Sequence, residues 1–251
     1  MIREETVFGP IKSRRLGNSL GINLLPRKGK LCNFDCIYCE CGWNRDGRDD
    51  RTLPSGREVS EALNTALAEC RVKGTPIDSI TFSGDGEPTL HPEFPFIVDE
   101  VIRLRDRYFP ESKVTVLSNA TQVHRPEILQ ALCKVDNPIM KIDAALTAGA
   151  KLINRPATGY SVESVVEALK GFEGNFILQT MFLRSSDYDS SKPAAVAAWM
   201  DIVRDLHPRE VMVYTIDRET PQEGLQKFSV EEMRNLVKPL IDEGFSVQIR
   251  G

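Results

Sequence analysis

No stretch of this 251-residue sequence approaches the roughly 20 consecutive apolar residues that carry a helix across a bilayer. The opening residues, Met1-Ile2-Arg3-Glu4-Glu5, are charged where a secretory signal would be apolar. A cytoplasmic location without membrane association is therefore expected. Neither sign of charge dominates, since 32 basic residues stand against 36 acidic ones for a net charge of −4. That balance argues against a chain whose main task is to coat nucleic acid, although a local basic patch is compatible with it. No internal repeat, low-complexity run or Pro/Gly/Ser linker divides the chain. No P-loop pattern, Ser/His/Asp set or paired-carboxylate site competes for a catalytic role. One domain over residues 1–251 is expected, with 41% hydrophobic residues to build its core.

What the sequence does contain is a regular alternation of two kinds of segment. Short β-rich runs fall at 19–25, 79–83, 114–118, 139–142, 176–182, 211–216 and 245–249. Segments of helical period fall at 57–73, 94–108, 126–134, 162–172, 193–206 and 230–243. In the second of these, Phe96, Ile97, Val101, Leu104 and Tyr108 recur at the three- and four-residue spacing of one buried face. Alternation with crossovers this short implies a parallel sheet with helices outside it. Six or seven such units fall short of the eight that close a full barrel. The expected fold is α/β, a partial, open (β/α)6 barrel of the TIM type. Residues 1–18 form an N-terminal extension, and 229–251 supply the helix and final strand that close the barrel. Reactive groups belong in loops at the C-terminal ends of the strands.

Six cysteines in a reducing compartment point to metal or chemistry rather than disulfides. Four of them, Cys32, Cys36, Cys39 and Cys41, cluster after the first β-rich run, while Cys70 and Cys133 lie in helical segments and read as core residues. Cys32-Asn33-Phe34-Asp35-Cys36-Ile37-Tyr38-Cys39 forms a C-x-x-x-C-x-x-C pattern. Three thiolates in one loop suit three irons of a [4Fe–4S] cubane, with the fourth iron open to another ligand. A structural zinc site and a closed cluster ligated also by Cys41 are the competing readings.

The spacing, with aromatic Tyr38 before the last cysteine, resembles the signature of the radical S-adenosylmethionine (SAM) superfamily. Ser83-Gly84-Asp85-Gly86-Glu87-Pro88 resembles that family's glycine-rich element after the second strand, with Asp85 replacing one glycine. The resemblance implies that this turn holds the SAM amino group. The chemistry agrees: glycines let backbone approach a ligand closely, and Glu87 offers an ammonium a charge-assisted acceptor. The resemblance further places Ser118, Asn119 and Asp143, at strand ends, around the SAM ribose and methionine. Asn119 reads equally well as a turn cap. Arg155 is a partner for the SAM carboxylate through its bidentate fork, or a solvated side chain. Gln179, polar within an apolar strand, needs partners and points to the pocket.

More narrowly, the chain resembles the iron–sulfur oxidoreductase group related to wybutosine-synthesis enzymes. The matching segments are Phe8-Gly9-Pro10, Ser13-Arg14-Arg15-Leu16-Gly17, Ser19-Leu20-Gly21-Ile22 and Gly84 through Pro92. One departure is that no cysteine precedes Cys32, where wyosine-forming enzymes carry cysteines for a second cluster. The resemblance implies reductive cleavage of SAM at the cluster to a 5′-deoxyadenosyl radical, which abstracts hydrogen from substrate. No protein side chain is assigned a catalytic role of its own, because the cofactors carry the hard chemistry. An electron donor such as flavodoxin or ferredoxin is implied. With no cysteine-rich extension after the last β-rich run, a large substrate is expected to cover the site. RNA is favoured over a protein substrate, with a glycyl-radical-type activase of a partner protein and a non-catalytic electron carrier as alternatives. Arg3, Lys12, Arg14 and Arg15 form a small basic patch, and Trp43 with the charged run 45–51 is a candidate lid or docking surface. His91 reads as structural, and His124 and His207 as surface or helix-end residues.

Overall fold

A computed structural model of the chain describes residues 5–13, 16–47 and 50–251. Arg3, Arg14, Arg15 and part of the charged run at 45–51 lie outside the described residues, while Lys12 is exposed. The chain forms two compact units that interleave in sequence. One comprises Met1–Cys32, Asn44–Ser118 and Arg125–Pro138; the other comprises Asn33–Trp43, Asn119–His124 and Ile139–Gly251.

The first unit contains β1 (Val7–Ser13), β2 (Gly17–Ile22), α1 (Gly56–Lys73), β3 (Ser79–Phe82), α2 (Phe94–Tyr108), β4 (Lys113–Ser118) and α3 (Pro126–Lys134). β1 pairs antiparallel with β2, and β2, β3 and β4 follow in parallel. β3 is buried along its whole length, as an inner parallel strand covered on both faces must be. Its hydroxyls are satisfied laterally: Ser19 meets Thr81 at 2.7 Å and Ser79 meets Thr115 at 3.0 Å. α1 begins at a capping box in which Ser55 and Glu58 exchange bonds, and ends at Gly74 with φ +66°. Its buried stripe, Val59, Leu63, Leu67 and Cys70, follows helical period.

Two expectations are corrected here. On α2 the buried face is Phe94, Ile97, Val98, Val101 and Leu104, and Phe96 is 50% exposed. Phe96 sits about 100° round the helix from Ile97 on the side away from Val98, outside the buried arc, and its ring covers Gly56 instead. On α3 the buried residues are Ile128, Ala131 and Leu132, which leaves Cys133 on the exposed side rather than in the core.

The second unit contains β5 (Asn137–Lys141, from Ile139 onward), α4 (Thr147–Ile153), α5 (Val162–Leu169), β6 (Ile177–Met181), β7 (Leu183–Arg184), α6 (Pro193–Leu206), β8 (Glu210–Tyr214), β9 (Gln226–Lys227), α7 (Val230–Asp242) and β10 (Val247–Arg250). Strands β5, β6, β8 and β10 pair in that order, all parallel. A two-residue antiparallel pair, β7 with β9, stands apart from them. Trp199 on α6 packs edge-on against Phe182 and donates its indole N–H to Thr180 at 3.0 Å. α7 repeats the capping-box device with Ser229 and Glu232.

Both units thus consist of parallel strands alternating with helices, the α/β class that the sequence pattern predicts. β1, α4 and the β7–β9 pair are additions to the expected elements. No helix among the described residues is long and apolar enough to cross a membrane.

Candidate active site

In the first unit the turn after β3 is built into the chain around it. The Leu31 N–H donates to the Asp85 carbonyl at 3.0 Å, and the Glu87 N–H donates to the Leu31 carbonyl at 3.0 Å. The turn therefore grips the residue that precedes Cys32. Its glycines serve this grip. A methyl group on Gly86, at φ +143°, would overlap the Leu31 carbonyl oxygen, and one on Gly84 would overlap the Asn23 side chain. Asn23 Oδ1 accepts the Asp85 N–H at 3.1 Å, and Asp85 itself is fully buried. The Glu87 carboxylate, 2% exposed, accepts Thr89 N–H at 3.1 Å, Thr89 O–H at 2.5 Å and Ser118 O–H at 2.8 Å, all on Oε1. Ser83 is half-buried and donates to the Thr81 carbonyl at 3.4 Å. His91 is buried, with Nε2 on the Pro54 carbonyl at 2.8 Å, a structural residue as expected.

In the second unit the cysteine loop is held by three segments. Residues 153–157 run along it antiparallel: Ile37 N–H donates to Ile153 O at 2.9 Å, Asp35 N–H to Asn154 O at 2.9 Å, and Ala157 N–H to Asn33 O at 2.8 Å. Phe34 and Pro156 form the intervening bridge. Arg155, in the middle, adopts φ +45°, a left-handed conformation that costs a non-glycine residue energy. Its guanidinium is exposed, 4.7 Å from the Trp43 ring centroid, and donates to Gln222 Oε1 at 2.9 Å. Gln222 N–H in turn donates to Ile37 O at 3.2 Å. The third segment is Asn119–Thr121. Asn119 donates to Asn33 Oδ1 at 2.7 Å, Asn33 to Thr121 Oγ1 at 2.7 Å, and Thr121 back to Asn119 Oδ1 at 2.7 Å. Asn119 therefore fixes the loop between Cys32 and Cys36. His124 is exposed beside it, and His207 caps α6 at φ +43°.

Behind Cys36 lies a largely buried polar network that the sequence reading did not assemble. Asp143 Oδ2 accepts the Tyr38 hydroxyl and, at 2.6 Å, the Asn154 amide. Asp143 Oδ1 accepts the Met181 N–H at 2.8 Å and lies 3.5 Å from the Lys141 ammonium. Lys141 sits 4.8 and 4.9 Å from the ring centroids of Tyr38 and Tyr214 and bonds the Tyr214 hydroxyl. Asn154 Nδ2 reaches the Tyr38 hydroxyl at 2.9 Å and the Cys36 sulfur at 3.5 Å. Burial would push Lys141 down, but Asp143 and Tyr214 outweigh it and hold the ammonium above its ordinary range. Burial first, and then Asp143, push the Tyr38 phenol well up. Burial also lifts the Cys36 thiol to about 11, against the opposing pull of Lys141. The Gln179 side chain, in a residue 6% exposed, donates to the Met212 sulfur at 3.4 Å.

Cys32, Cys36 and Cys39 are half-buried and form no disulfide, and the Cys39 N–H closes a turn onto Cys36 O at 3.1 Å. Among the described residues no three His, Cys, Asp or Glu side chains gather to hold a single metal ion. A cubane instead asks for thiolates at separate iron corners, and three thiolates leave one iron open. The donor set fits a [4Fe–4S] cluster. Cys41 is also half-buried and outside any disulfide.

Residues 28–183, well over half of the chain, match the radical SAM superfamily. The chain belongs to that superfamily. Its members use a [4Fe–4S] cluster and SAM and require an electron donor. It is 29% identical over 252 residues to a Brachyspira hyodysenteriae protein named GTPase Obg, covering 99% of this chain but 35% of that one. Among solved structures it shares the fold of Streptococcus suis SuiB bound to the precursor peptide SuiA, at 13% identity and TM-score 0.66, covering 89% of this chain and 47% of that one. It also shares the fold of TYW1 with a lysine-pyruvate adduct bound, at 13% identity and TM-score 0.62, covering 90% and 74%. The radical SAM fold and the likeness to TYW1-type enzymes expected from the sequence are thus found.

Proposed function

We propose that this radical SAM enzyme holds its cluster on Cys32, Cys36 and Cys39 and acts on a macromolecular substrate, RNA being favoured. The observation that carries the reading is the C-x-x-x-C-x-x-C loop, pinned by Asn119, by residues 153–157 and by Gln222, in a chain of this family. When bound and reduced, the cluster supplies the electron for cleavage of SAM. The protein's part is to fix the loop, grip SAM and keep water out. We assign the SAM-binding role to Tyr38, to Ser83, Gly84, Asp85, Gly86 and Glu87, and to Ser118, Asn119, Asp143, Arg155 and Gln179. Residues 1–251 work as one radical SAM domain in the cytoplasm, with flavodoxin or ferredoxin as electron donor.

RNA is supported by the subgroup motifs around Phe8–Pro10 and Gly84–Pro92 and by the TYW1-like fold. A polypeptide substrate is supported by SuiB, which is held with a precursor peptide.

The test is anaerobic reconstitution, reduction and addition of SAM, with 5′-deoxyadenosine measured alongside the cluster's electron paramagnetic resonance (EPR) spectrum. Deoxyadenosine formation and a SAM-perturbed signal are expected in the wild type. Cys36→Ala should lower deoxyadenosine formation by at least about 100-fold, since loss of a mere outer-shell partner of a metal ligand already costs about 10–100-fold. A reducible cluster that neither binds nor cleaves SAM would favour the electron-carrier reading. A salt-dependent shift of transfer RNA in a gel supports the RNA arm.

A further inference from the structure

Asn154 was singled out by no sequence motif, yet its side chain links Asp143, Tyr38 and Cys36. It is 2% exposed, and its amide nitrogen reaches three acceptors: Asp143 Oδ2 at 2.6 Å, the Tyr38 oxygen at 2.9 Å and Cys36 Sγ at 3.5 Å. An amide N–H is a weak donor to a neutral thiol and a better one to a thiolate, because the bond is then charge-assisted. Asn154 cannot easily turn away. Its backbone N–H donates to Ala150 O at 2.7 Å, its carbonyl accepts the Asp35 N–H at 2.9 Å, and the next residue is held at positive φ. The amide is thus presented to Cys36 by a stretch of chain that is itself paired with the cysteine loop.

Hydrogen bonds to cluster sulfurs are one of the determinants of an iron–sulfur potential. Reduction adds one electron to the cluster, and no bond forms or breaks. The added negative charge spreads onto the ligating sulfurs, so a donor aimed at one of them stabilises the reduced form more than the oxidised form. We propose that Asn154 is a positioning residue that sets the cluster's reduction potential through its N–H on Cys36 Sγ. The inference rests on the reading that Cys36 ligates the cluster.

The test uses the reconstituted full-length protein without SAM, titrated with dithionite at a series of fixed potentials and read by EPR. Iron and sulfide content are measured on the same samples. Asn154→Leu keeps the shape and removes the donor. At any potential near the midpoint its ratio of reduced to oxidised cluster should fall about fivefold, a shift of about 40 mV at 59 mV per tenfold for one electron. Asn154→Ala should move the ratio in the same direction and carries the test if the leucine variant fails to load. Tyr214→Phe perturbs the same buried network through Lys141 without touching Cys36, and should leave the potential unchanged. An unshifted potential in both Asn154 variants overturns the proposal, as does an equal shift in Tyr214→Phe, which would make the effect a property of the network. Wild-type protein that takes up no four-iron cluster overturns the metal reading and the inference with it. Normal loading with an unshifted potential overturns the inference alone.

Discussion

Two buried or half-buried ion pairs, one in each unit, use the same parts for different ends. In the first unit Asp136 accepts the Val114 N–H at 2.9 Å and the Arg105 guanidinium at 2.7 Å, with Lys113 at 3.6 Å. In the second, Asp143 accepts the Met181 N–H at 2.8 Å, with the Lys141 ammonium at 3.5 Å. The cations are alike, Arg105 at 12% and Lys141 at 16% exposed, but the carboxylates differ: Asp136 is 27% exposed and the Asp143 side chain is fully enclosed. Chain position tells them apart. Asp136 immediately precedes β5 and holds the start of β4, while Asp143 follows the end of β5. In open parallel sheets, ligand sites form beyond the carboxyl ends of strands. The pair at the entering ends can therefore serve stability, while the pair at the leaving ends is free to serve chemistry. The pair with the enclosed carboxylate also carries the larger penalty when broken from the cation's side.

Lys141→Met sharpens that contrast most. It strands the Asp143 carboxylate without its cation, and breaking a buried pair from one side costs about 3–5 kcal/mol. A melting temperature lowered by roughly 10 °C is expected for a chain of this size. Adding Asp143→Asn to Lys141→Met should recover a large part of the loss, because the uncompensated charge goes with it. The same double substitution at Arg105 and Asp136 should show little coupling. Equal coupling energies at the two pairs, measured by urea denaturation, would erase the distinction drawn between them.

Next in size is Gly86→Ala, which tests whether the first unit depends on backbone fit as the second depends on charge. The new methyl group meets the Leu31 carbonyl, and φ +143° suits only glycine. Strain of both kinds should cost about 2–3 kcal/mol. The signature is a lowered denaturation midpoint together with reduced iron uptake, since the displaced residue adjoins Cys32. Stability matching the wild type would show that the turn can shift freely.

The alternation of strands and helices was legible because inner strands such as Ile177–Met181 are buried throughout and periodic helices such as Pro193–Leu206 bury a continuous face. β1 was not, because Gly9, Pro10 and Lys12 interrupt its apolar pattern and it lies at an antiparallel edge. α4 was missed because it has seven residues and contains Gly149. At the site, the cysteine spacing and the glycine-rich turn could be read directly, since each is local in sequence. The physical reason for the glycines could not, because Asn23 and Leu31 approach from more than 50 residues away. The network behind Cys36 was invisible for the same cause: Asn154 meets Cys36 and Tyr38 across separations of 118 and 116 residues. One signal was present in Lys141-Ile142-Asp143, two opposite charges at the end of an apolar strand, where a buried pair must find partners.

The smallest effect is expected at the solvent-touched pair. The Asp136 carboxyl is held below its ordinary range even though burial pushes it up, because the Val114 N–H and Arg105 outweigh that push. A carboxyl depressed by folding contributes stability above its unfolded pKa of about 3.9 and loses that contribution as pH falls through the folded value. Asp136→Asn should therefore cost about 1 kcal/mol near pH 6, a figure already reduced for solvent screening. The gap in melting temperature between wild type and variant should narrow below about pH 4 and close once the native carboxyl is protonated. A gap that stays constant from pH 6 to pH 3 would mean that Asp136 acts through its shape alone, and the half-exposed pair would then owe nothing to its charge.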